Sequence, residues 1–278
     1  VRVCSDGTSW YQAGGVSSAT AGGGGTIDGL SDAYTDYTTL NNIIMGRASA
    51  AALTAGAQYN LFIGENAGAT SANSTATTDL NVAVGHYALP ALTSGSYNTA
   101  LGALTLQANT TGFDNVAIGT LALNTNVTKG QTTAVGYRAM EFANSAAGGG
   151  ITYNTAIGAL ALQGSAAAAS NTGTENTALG HSTLMANTSG SDNVAIGKEA
   201  LKANTTASDN TAIGESAMLA NTTGAMNTAM GSNALYQNIG GSANVAVGDI
   251  ALGSTTASGN TAVGFEAGYA GTANTSGT

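Results

Sequence analysis

Residues 109–123 read NTTGFDNVAIGTLAL, and residues 187–201 repeat that string with few changes as NTSGSDNVAIGKEAL. Both stretches contain the pentad Asn-x-Ala-apolar-Gly, which returns through most of the chain. Thirteen units align on the pentad glycine, and most of these glycines are 17 residues apart: Gly46, Gly64, Gly85, Gly102, Gly119, Gly136, Gly158, Gly180, Gly197, Gly214, Gly231, Gly248 and Gly264. A fixed period of this length is typical of a repeat architecture in which each unit packs on its neighbours.

The pentad alternates in the way that a β-strand does. Its second and fourth positions are β-branched or aliphatic, as in Val116 and Ile118, whereas its first, third and fifth are Asn, Ala and Gly. Because successive side chains of a strand point to opposite faces, we predict that Val116 and Ile118 share one face and that Ala117 lies on the other. We interpret the Val/Thr side as facing the core. The near-constant alanine predicts a close approach by another surface, that of an identical chain, so Ala117→Phe would disrupt assembly.

The rest of the unit predicts turns and a second apolar ladder. Leu or Met stands four residues after the glycine in ten units, and the two residues directly after the glycine carry many of the charged side chains. The Asn-Thr-Thr-Gly segments at 109–112 and 221–224 use residues that tolerate tight turns. Short strands separated by turns predict an all-β fold, a parallel β-solenoid or β-roll of about 13 repeats. A helical array is disfavoured because every unit contains Gly, Asn or Thr.

The repeats also set the expected domain limits. Residues 41–268 are predicted to form the solenoid shaft, 1–40 a leader or adaptor with a Gly-rich linker, and 269–278 a C-terminal tail. At a rise of about 4.7–4.8 Å per coil, the units predict a rod on the order of 60 Å long. Such thin coils bury little surface, so we expect a parallel homotrimer about a threefold axis. The sequence leaves open which of the two ladders faces that axis.

Composition excludes several kinds of partner. The net charge is −9 with only six Lys and Arg in 278 residues, so no basic stripe is available for nucleic acid. No apolar run reaches about 18 residues, so we expect no membrane insertion. The single cysteine, Cys4, excludes an intrachain disulfide framework.

Tandem units of this form, as in residues 210–234 (NTAIGESAMLANTTGAMNTAMGSNA), resemble the repeats of phage tail fibres that are often followed by an endosialidase-type intramolecular chaperone. The pentad is also similar to the β-roll heads of trimeric autotransporter adhesins. The likeness spans residues 42–268, and VRVCSDGTSW at 1–10 resembles a Cys-x-x-Gly-x-x-Trp segment found ahead of such repeats. The resemblance implies a fibre architecture. No chaperone follows Thr278, so we expect a mature, cleaved fibre or a fragment of a longer chain.

We predict no catalytic, cofactor-binding or metal-binding residue and no cofactor. The two histidines, His86 and His181, occupy the same unit position after the glycine, without a carboxylate or Cys at ligand spacing. Cys4 could act as a nucleophile only with a base near it in space, and as a lone cysteine in a Gly-rich leader it is expected to be inert or to make an interchain contact. The acidic segment 28–36 lacks the spacing of an EF-hand, and the glycine run 22–25 lacks the lysine of a phosphate-binding loop.

Three other functional readings stay open. A polysaccharide-processing enzyme would need Glu199 and Glu215 clustered in a groove. Ice binding by a threonine ladder is disfavoured by our expectation that these threonines face the core. Target-binding loops would lie in the insertions at 141–153 and 163–175, which we regard more simply as tolerated surface loops.

The sequence also contains seven Asn-x-Ser/Thr sequons. Turn chemistry accounts for them without glycosylation, because Asn and Thr recur there with the repeat. They are Asn73, Asn109, Asn126, Asn187, Asn204, Asn221 and Asn274.

The sequence thus predicts a structural protein: the shaft of a phage tail fibre, located in the virion, that serves host-surface attachment. Its partners would be identical chains in a homotrimer, other virion or fibre proteins, and a host cell-surface glycan or protein. The alternative is a cellular trimeric adhesin or extracellular surface filament built from the same repeat. Neither reading involves enzymatic activity.

Overall fold

A computed structural model describes residues 42–49, 57–69, 79–142, 149–167 and 170–269 in full, and the backbone alone of residues 2–4, 10–12 and 33–36. Their regular structure is entirely β. The strands are β1 Arg2–Cys4, β2 Trp10–Gln12, β3 Ala33–Asp36, β4 Asn42–Met45, β5 Leu61–Ile63, β6 Val82–Val84, β7 Thr99–Leu101, β8 Val116–Ile118, β9 Lys129–Gly130, β10 Thr133–Val135, β11 Gly150–Ile151, β12 Thr155–Ile157, β13 Thr177–Leu179, β14 Val194–Ile196, β15 Thr211–Ile213, β16 Thr228–Met230, β17 Val245–Val247 and β18 Thr261–Val263.

One sheet of fourteen strands runs the length of the repeats, from β3 to β18. Its first pair, β3 and β4, is antiparallel, and all later neighbours are parallel. Two small sheets accompany it: the antiparallel pair β1–β2 and the parallel pair β9–β11. The parallel β-solenoid prediction is therefore confirmed, with about one turn of the solenoid between each strand and the next.

Equivalent residues of successive units lie side by side in the sheet. Ala195 of β14 is paired with Ala178 on one side and with Ala212 on the other. Most of these strands contain three residues, fewer than the five of the pentad, because every pentad glycine has a φ between 122° and 142° that ends the strand. Register is thus fixed by repetition, since a slip of one residue would move the alanines out of line.

The alanine ladder lies inside the single chain, which corrects the prediction that it contacts another copy. Ala117, Ala195 and the other alanines of this ladder from Ala83 to Ala246 are 0% exposed, and they form one continuous core with the Leu/Met ladder, against which the partly buried Ala262 packs. The surface that approaches each alanine is therefore the chain's own next turn. Because the interior of a short coil is narrow, it accepts a methyl group from the strand and one long side chain from the opposite turn.

The Leu/Met ladder occupies turns of left-handed conformation. Leu201, Met218 and the other fully or almost fully buried members have φ between 47° and 52°. This conformation costs an L-residue about 1–2 kcal/mol, and more for a β-branched one. Burial of a Leu side chain contributes about 1.5–3 kcal/mol, which offsets that cost. The ten ladder positions that carry a long side chain are accordingly Leu or Met, and none of them is β-branched.

Phe62 and Gly68 show how tightly the interior is filled. In this early unit Phe62 replaces the usual alanine, and Gly68 stands where other units have Leu or Met. A Cβ added to Gly68 would lie 2.9 Å from the Phe62 ring. The large residue and the small one have exchanged places, so the filled volume is kept.

Two ladders of buried asparagines cross the solenoid. In the first, Asn193 donates from Nδ2 to Asn176 Oδ1 at 3.0 Å and to the Ala207 carbonyl at 2.9 Å. Its own Oδ1 accepts from the backbone N–H and from Nδ2 of Asn210, both at 3.1 Å. All four hydrogen-bonding positions of the amide are therefore used, which an Asp or Thr side chain could not reproduce.

Asn193→Thr is expected to lower the free energy of unfolding by about 2 kcal/mol, because two donors of Asn210 would lose their buried acceptor. Threonine is the appropriate replacement, since Thr132 already occupies the equivalent position and keeps a hydroxyl bond of 2.7 Å to Thr152. The measurement is the thermal midpoint by circular dichroism, with an expected decrease of about 4–8 °C. An unchanged midpoint would contradict this role of the ladder.

Candidate interaction surface on the outer sheet face

The second and fourth pentad positions of β5–β18, omitting the short β9 and β11, form what we call the outer face. In β14 these are Val194 and Ile196, which are half-buried on either side of the fully buried Ala195. The prediction that the Val/Thr side faces the core is therefore wrong. Branched side chains suit a pleated strand on either of its faces, so strand preference alone did not settle which face was inside.

The outer face is an apolar strip open to solvent in the single chain. Leu101, Ile157, Leu179 and Met230 are each 41–45% exposed, and Val263 is 71% exposed. With strands about 4.8 Å apart and three residues wide, the outer face measures about 58 Å by 10 Å, on the order of 600 Å² with its polar side chains included. Its apolar part falls within the roughly 300–600 Å² of the largest patch on a typical monomer. An apolar surface of this size requires an explanation.

Threonines share this face with the aliphatic residues. The second pentad position is threonine in seven strands: Thr99, Thr133, Thr155, Thr177, Thr211, Thr228 and Thr261. All are half-buried or exposed. These threonines therefore do not face the core as predicted. The objection to a water-ordering threonine array no longer applies.

The charged residues that follow the glycines lie in exposed turns beyond the sheet. Lys198 Nζ donates to Glu215 Oε1 at 3.0 Å, and Lys202 Nζ donates to Glu199 Oε1 at 2.9 Å. The first bond, with coulombic attraction to Glu215 and Glu199, raises the pKa of Lys198 above its ordinary 10.5. The second lowers the pKa of Glu199 below its ordinary 4.5. Each carboxylate proposed for a catalytic pair is thus held by its own lysine.

The histidines lie in the same turns and have different surroundings. His86 packs edge-on against Tyr87, with ring centroids 4.6 Å apart, and its Nε2 is 3.8 Å from Glu65 Oε2. Glu65 also pairs with Arg47. His181 is exposed and contributes attraction to the Glu199 carboxylate. Among the residues that the structure describes, no group of three or more His, Cys, Asp or Glu side chains could hold a metal ion.

Five of the sequon asparagines lie inside the solenoid. Asn109, Asn126, Asn187, Asn204 and Asn221 are 0–4% exposed. Their Nδ2 groups donate hydrogen bonds inside the solenoid, either within the same turn, as from Asn187 to the Gly190 carbonyl at 2.9 Å, or to the preceding unit, as from Asn204 to Asn187 Oδ1 at 2.9 Å. Burial and these hydrogen bonds fit the structural role predicted for the five asparagines in the turns. Asn73 and Asn274 lie outside the described residues.

Several other sequence features fall wholly or partly outside the described residues. The Cys4 side chain, the glycine run 22–25 and most of the acidic segment 28–36 are among them. Of the two insertions, residues 143–148 and 168–169 are likewise outside. In the described part of the second insertion, Asn171 donates from Nδ2 to the Phe142 carbonyl at 2.7 Å. Asn171 thereby ties this insertion to the preceding turn.

The tyrosines are a feature that the sequence analysis missed. The seven in the fully described residues are all exposed, between 37% and 58%: Tyr59, Tyr87, Tyr97, Tyr137, Tyr153, Tyr236 and Tyr269. The available signal was their position in the unit, since none of them stands at a third pentad position or in the Leu/Met ladder. Large aromatic side chains that the core does not use are commonly found at binding surfaces.

Comparison of the chain with models of known protein families, with curated proteins and with solved structures gave no match. Within the described part of the chain, no helix has the length and apolarity needed to cross a bilayer.

Proposed function

We propose that the chain is a non-enzymatic structural protein whose outer face packs against identical chains, in a homotrimer that forms the shaft of a phage tail fibre. The observation that carries this proposal is the exposed apolar strip of the outer face. The whole outer face, on the order of 600 Å², approaches the roughly 800 Å² that each partner contributes to a standard-size interface. Assembly through this face would remove these aliphatic side chains from water.

The thin core supports the same conclusion. In the β14 unit the buried apolar residues are three alanines, Ala195, Ala200 and Ala207, with one long side chain, Leu201, and the other buried side chains are asparagines. The aliphatic side chains that would normally supply a core, such as Ile196, lie on the outer face instead. A repeat of this kind gains most by burying that face against another chain.

Threefold symmetry is favoured by the composition of the outer face. It consists of two parallel ladders, one mainly Thr and Val and the other mainly Ile, Leu, Val and Met. In a threefold arrangement each chain contacts two neighbours, so each ladder can meet a different neighbour. The resemblance to fibre and adhesin repeats, both of them trimeric assemblies, favours this number over two.

The test is the native mass of the purified chain by light scattering, before and after substitution on the outer face. The expected mass is three times the 27.0 kDa of one chain. Leu179→Lys places a charge within the apolar strip, where assembly would bury it without a partner, so we expect single chains.

Ile151→Lys is the matched control. Ile151 is 41% exposed in the short strand β11, close to the 43% of Leu179, but it does not belong to the outer face. We expect this variant to keep the mass of three chains. A wild-type chain that is monomeric at micromolar concentration, or equal dissociation of both variants, would contradict the proposal.

Ice binding is the second candidate, because the outward threonines described above could order water. It competes with assembly for one surface, since the outer face cannot both be buried between chains and contact ice. The discriminating measurement is thermal hysteresis of the purified chain. We expect none, and a monomer with clear hysteresis would replace the fibre proposal by ice binding.

Location is a separate question from assembly. Mass spectrometry of purified particles of the source phage is expected to detect the chain as a virion component. Its presence instead in the surface fraction of source cells would favour the adhesin or surface-filament alternative.

A further inference from the structure

The fifth residue after the pentad glycine forms a ladder along the exposed turns. Its members in the later units are Met185, Lys202, Leu219, Tyr236, Gly253 and Tyr269. Gly253 is the one member without a side chain in the part of the chain that the structure describes. It lies between two tyrosines that belong to the preceding and following units.

This glycine opens a cleft of about 240 Å³ between Tyr236 and Tyr269. Asn233, Gln237 and Ile250 complete its walls. A Cβ placed on Gly253 would lie 3.2 Å from Cδ2 of Tyr269 and 2.9 Å from Cγ2 of Ile250. Any side chain at position 253 would therefore occupy the floor of the cleft, beneath the ring of Tyr269.

The walls combine aromatic rings with amide groups that have hydrogen-bonding capacity left. Tyr236 is 37% exposed and Tyr269 is 47% exposed. The Gln237 side chain is exposed and forms no hydrogen bond with the described residues. Asn233 donates from Nδ2 to Ser232 Oγ at 3.1 Å, which leaves its Oδ1 as an acceptor. No charged residue lines the cleft.

We infer that this cleft binds one neutral sugar ring of a glycan. The apolar C–H face of a pyranose packs on an aromatic ring, while its hydroxyls need donors and acceptors such as those of Asn233 and Gln237. A volume of about 240 Å³ is below the roughly 300–1,000 Å³ of sites for drug-sized ligands, so it suits a single ring. Without a Lys or Arg in its walls, the cleft offers nothing to a phosphate or carboxylate.

The site does not depend on the assembly proposed above. Its residues belong to the turns after Gly231, Gly248 and Gly264, and none of them is part of the outer face. Sugar binding is therefore open to single chains and to assembled ones alike. It would add a recognition function to a shaft that otherwise acts mechanically.

The test is saturation-transfer NMR followed by titration of the full chain with methyl glycosides of glucose, galactose, mannose and N-acetylglucosamine. We expect one of these neutral sugars to receive saturation and to bind with a Kd of about 1 mM. Tyr236→Ala and Tyr269→Ala should each raise that Kd at least about tenfold. Gly253→Gln should abolish binding by filling the cleft with a residue type that the ladder already holds at Gln163.

Tyr97→Ala is the matched control, because Tyr97 is 58% exposed and lies outside the cleft. It should leave the Kd unchanged, and circular dichroism should report the same fold for all variants. The inference is overturned by an absence of saturation transfer to every neutral sugar, by an equal loss in Tyr97→Ala, or by a preference for sialic acid. A monomer that binds sugar would contradict only the proposed assembly, and a trimer that does not bind would contradict only the cleft.

Discussion

Gly197→Val is expected to unfold the turns around β14 and to lower the free energy of unfolding by at least about 5 kcal/mol. Two effects add at this position. The φ of 126° is a conformation available almost only to glycine, which costs a branched residue about 1–3 kcal/mol or more. A Cβ would also lie 2.5 Å from the Gly214 carbonyl oxygen of the next coil, so the two backbones could not keep their spacing.

The last pentad glycine separates these two effects. Gly264 has nearly the same φ, 129°, but among the residues that the structure describes a Cβ there would meet nothing closer than Ala267 at 3.8 Å. Gly264→Val should therefore show the conformational cost alone and lose less than half as much stability as Gly197→Val. Urea denaturation followed by circular dichroism gives both values. Equal losses would mean that the close approach of successive coils contributes nothing.

Ala195→Leu is expected to destabilise the chain by about 3 kcal/mol or more through overpacking of the interior. Ala195 is 0% exposed between Ala178 and Ala212, and the opposite turn already fills the interior with Leu201. The same reasoning applies to Ala117→Phe, which should disturb the fold of the single chain before any effect on assembly arises. Thermal unfolding of dilute chain, where assembly is minimal, is the measurement.

Val194→Leu is the control for that substitution. It adds one methylene at the adjacent residue of the same strand, but on the half-buried outer face. We expect a change within about 0.5 kcal/mol for the single chain. If Val194→Leu lowered the stability as much as Ala195→Leu, the result would contradict the assignment of inner and outer faces.

The period and the strand position could be predicted from the sequence because the repeat states them thirteen times. A unit such as NVAIG at 115–119 places its strand through alternation, and its recurrence implies that Ala117 lies beside the alanines of neighbouring units. Parallel pairing in register follows from this, since only that arrangement aligns identical units. The structure bears out this part of the interpretation.

The direction of the strand faces could not be read in the same way. Hydrophobicity suggested that Val116 and Ile118 are inside, but a narrow coil has room only for Ala117 opposite Leu123. The decisive signal was the pairing of a small residue with Leu or Met six residues later in sequence, which the exchange of Phe62 and Gly68 makes visible. The β-propensity of a residue does not predict which strand face is inside, because the inner face is decided by the volume of the side chains that the narrow interior can hold.

The cleft between Tyr236 and Tyr269 was harder still to predict from the sequence. It depends on Tyr236, Gly253 and Tyr269 falling in line across spacings of 17 and 16 residues. Each residue is unremarkable within its own unit, and only the stacking of three coils brings the two rings to opposite sides of a gap. Predicting the cleft would require the exact register of the last units, in which one repeat is 16 residues long instead of 17.

The antiparallel pairing of β3 with β4 has a consequence for the end-to-end stacking of chains. A run of parallel coils presents, at its first strand, a row of backbone groups that could accept the last coil of another chain end to end. Residues 33–36 cover that row in the opposite chain direction, which no repeat unit can imitate. A repeat unit of another chain that approached this end would meet a strand of opposite direction, so the parallel pairing seen between successive coils is not offered there.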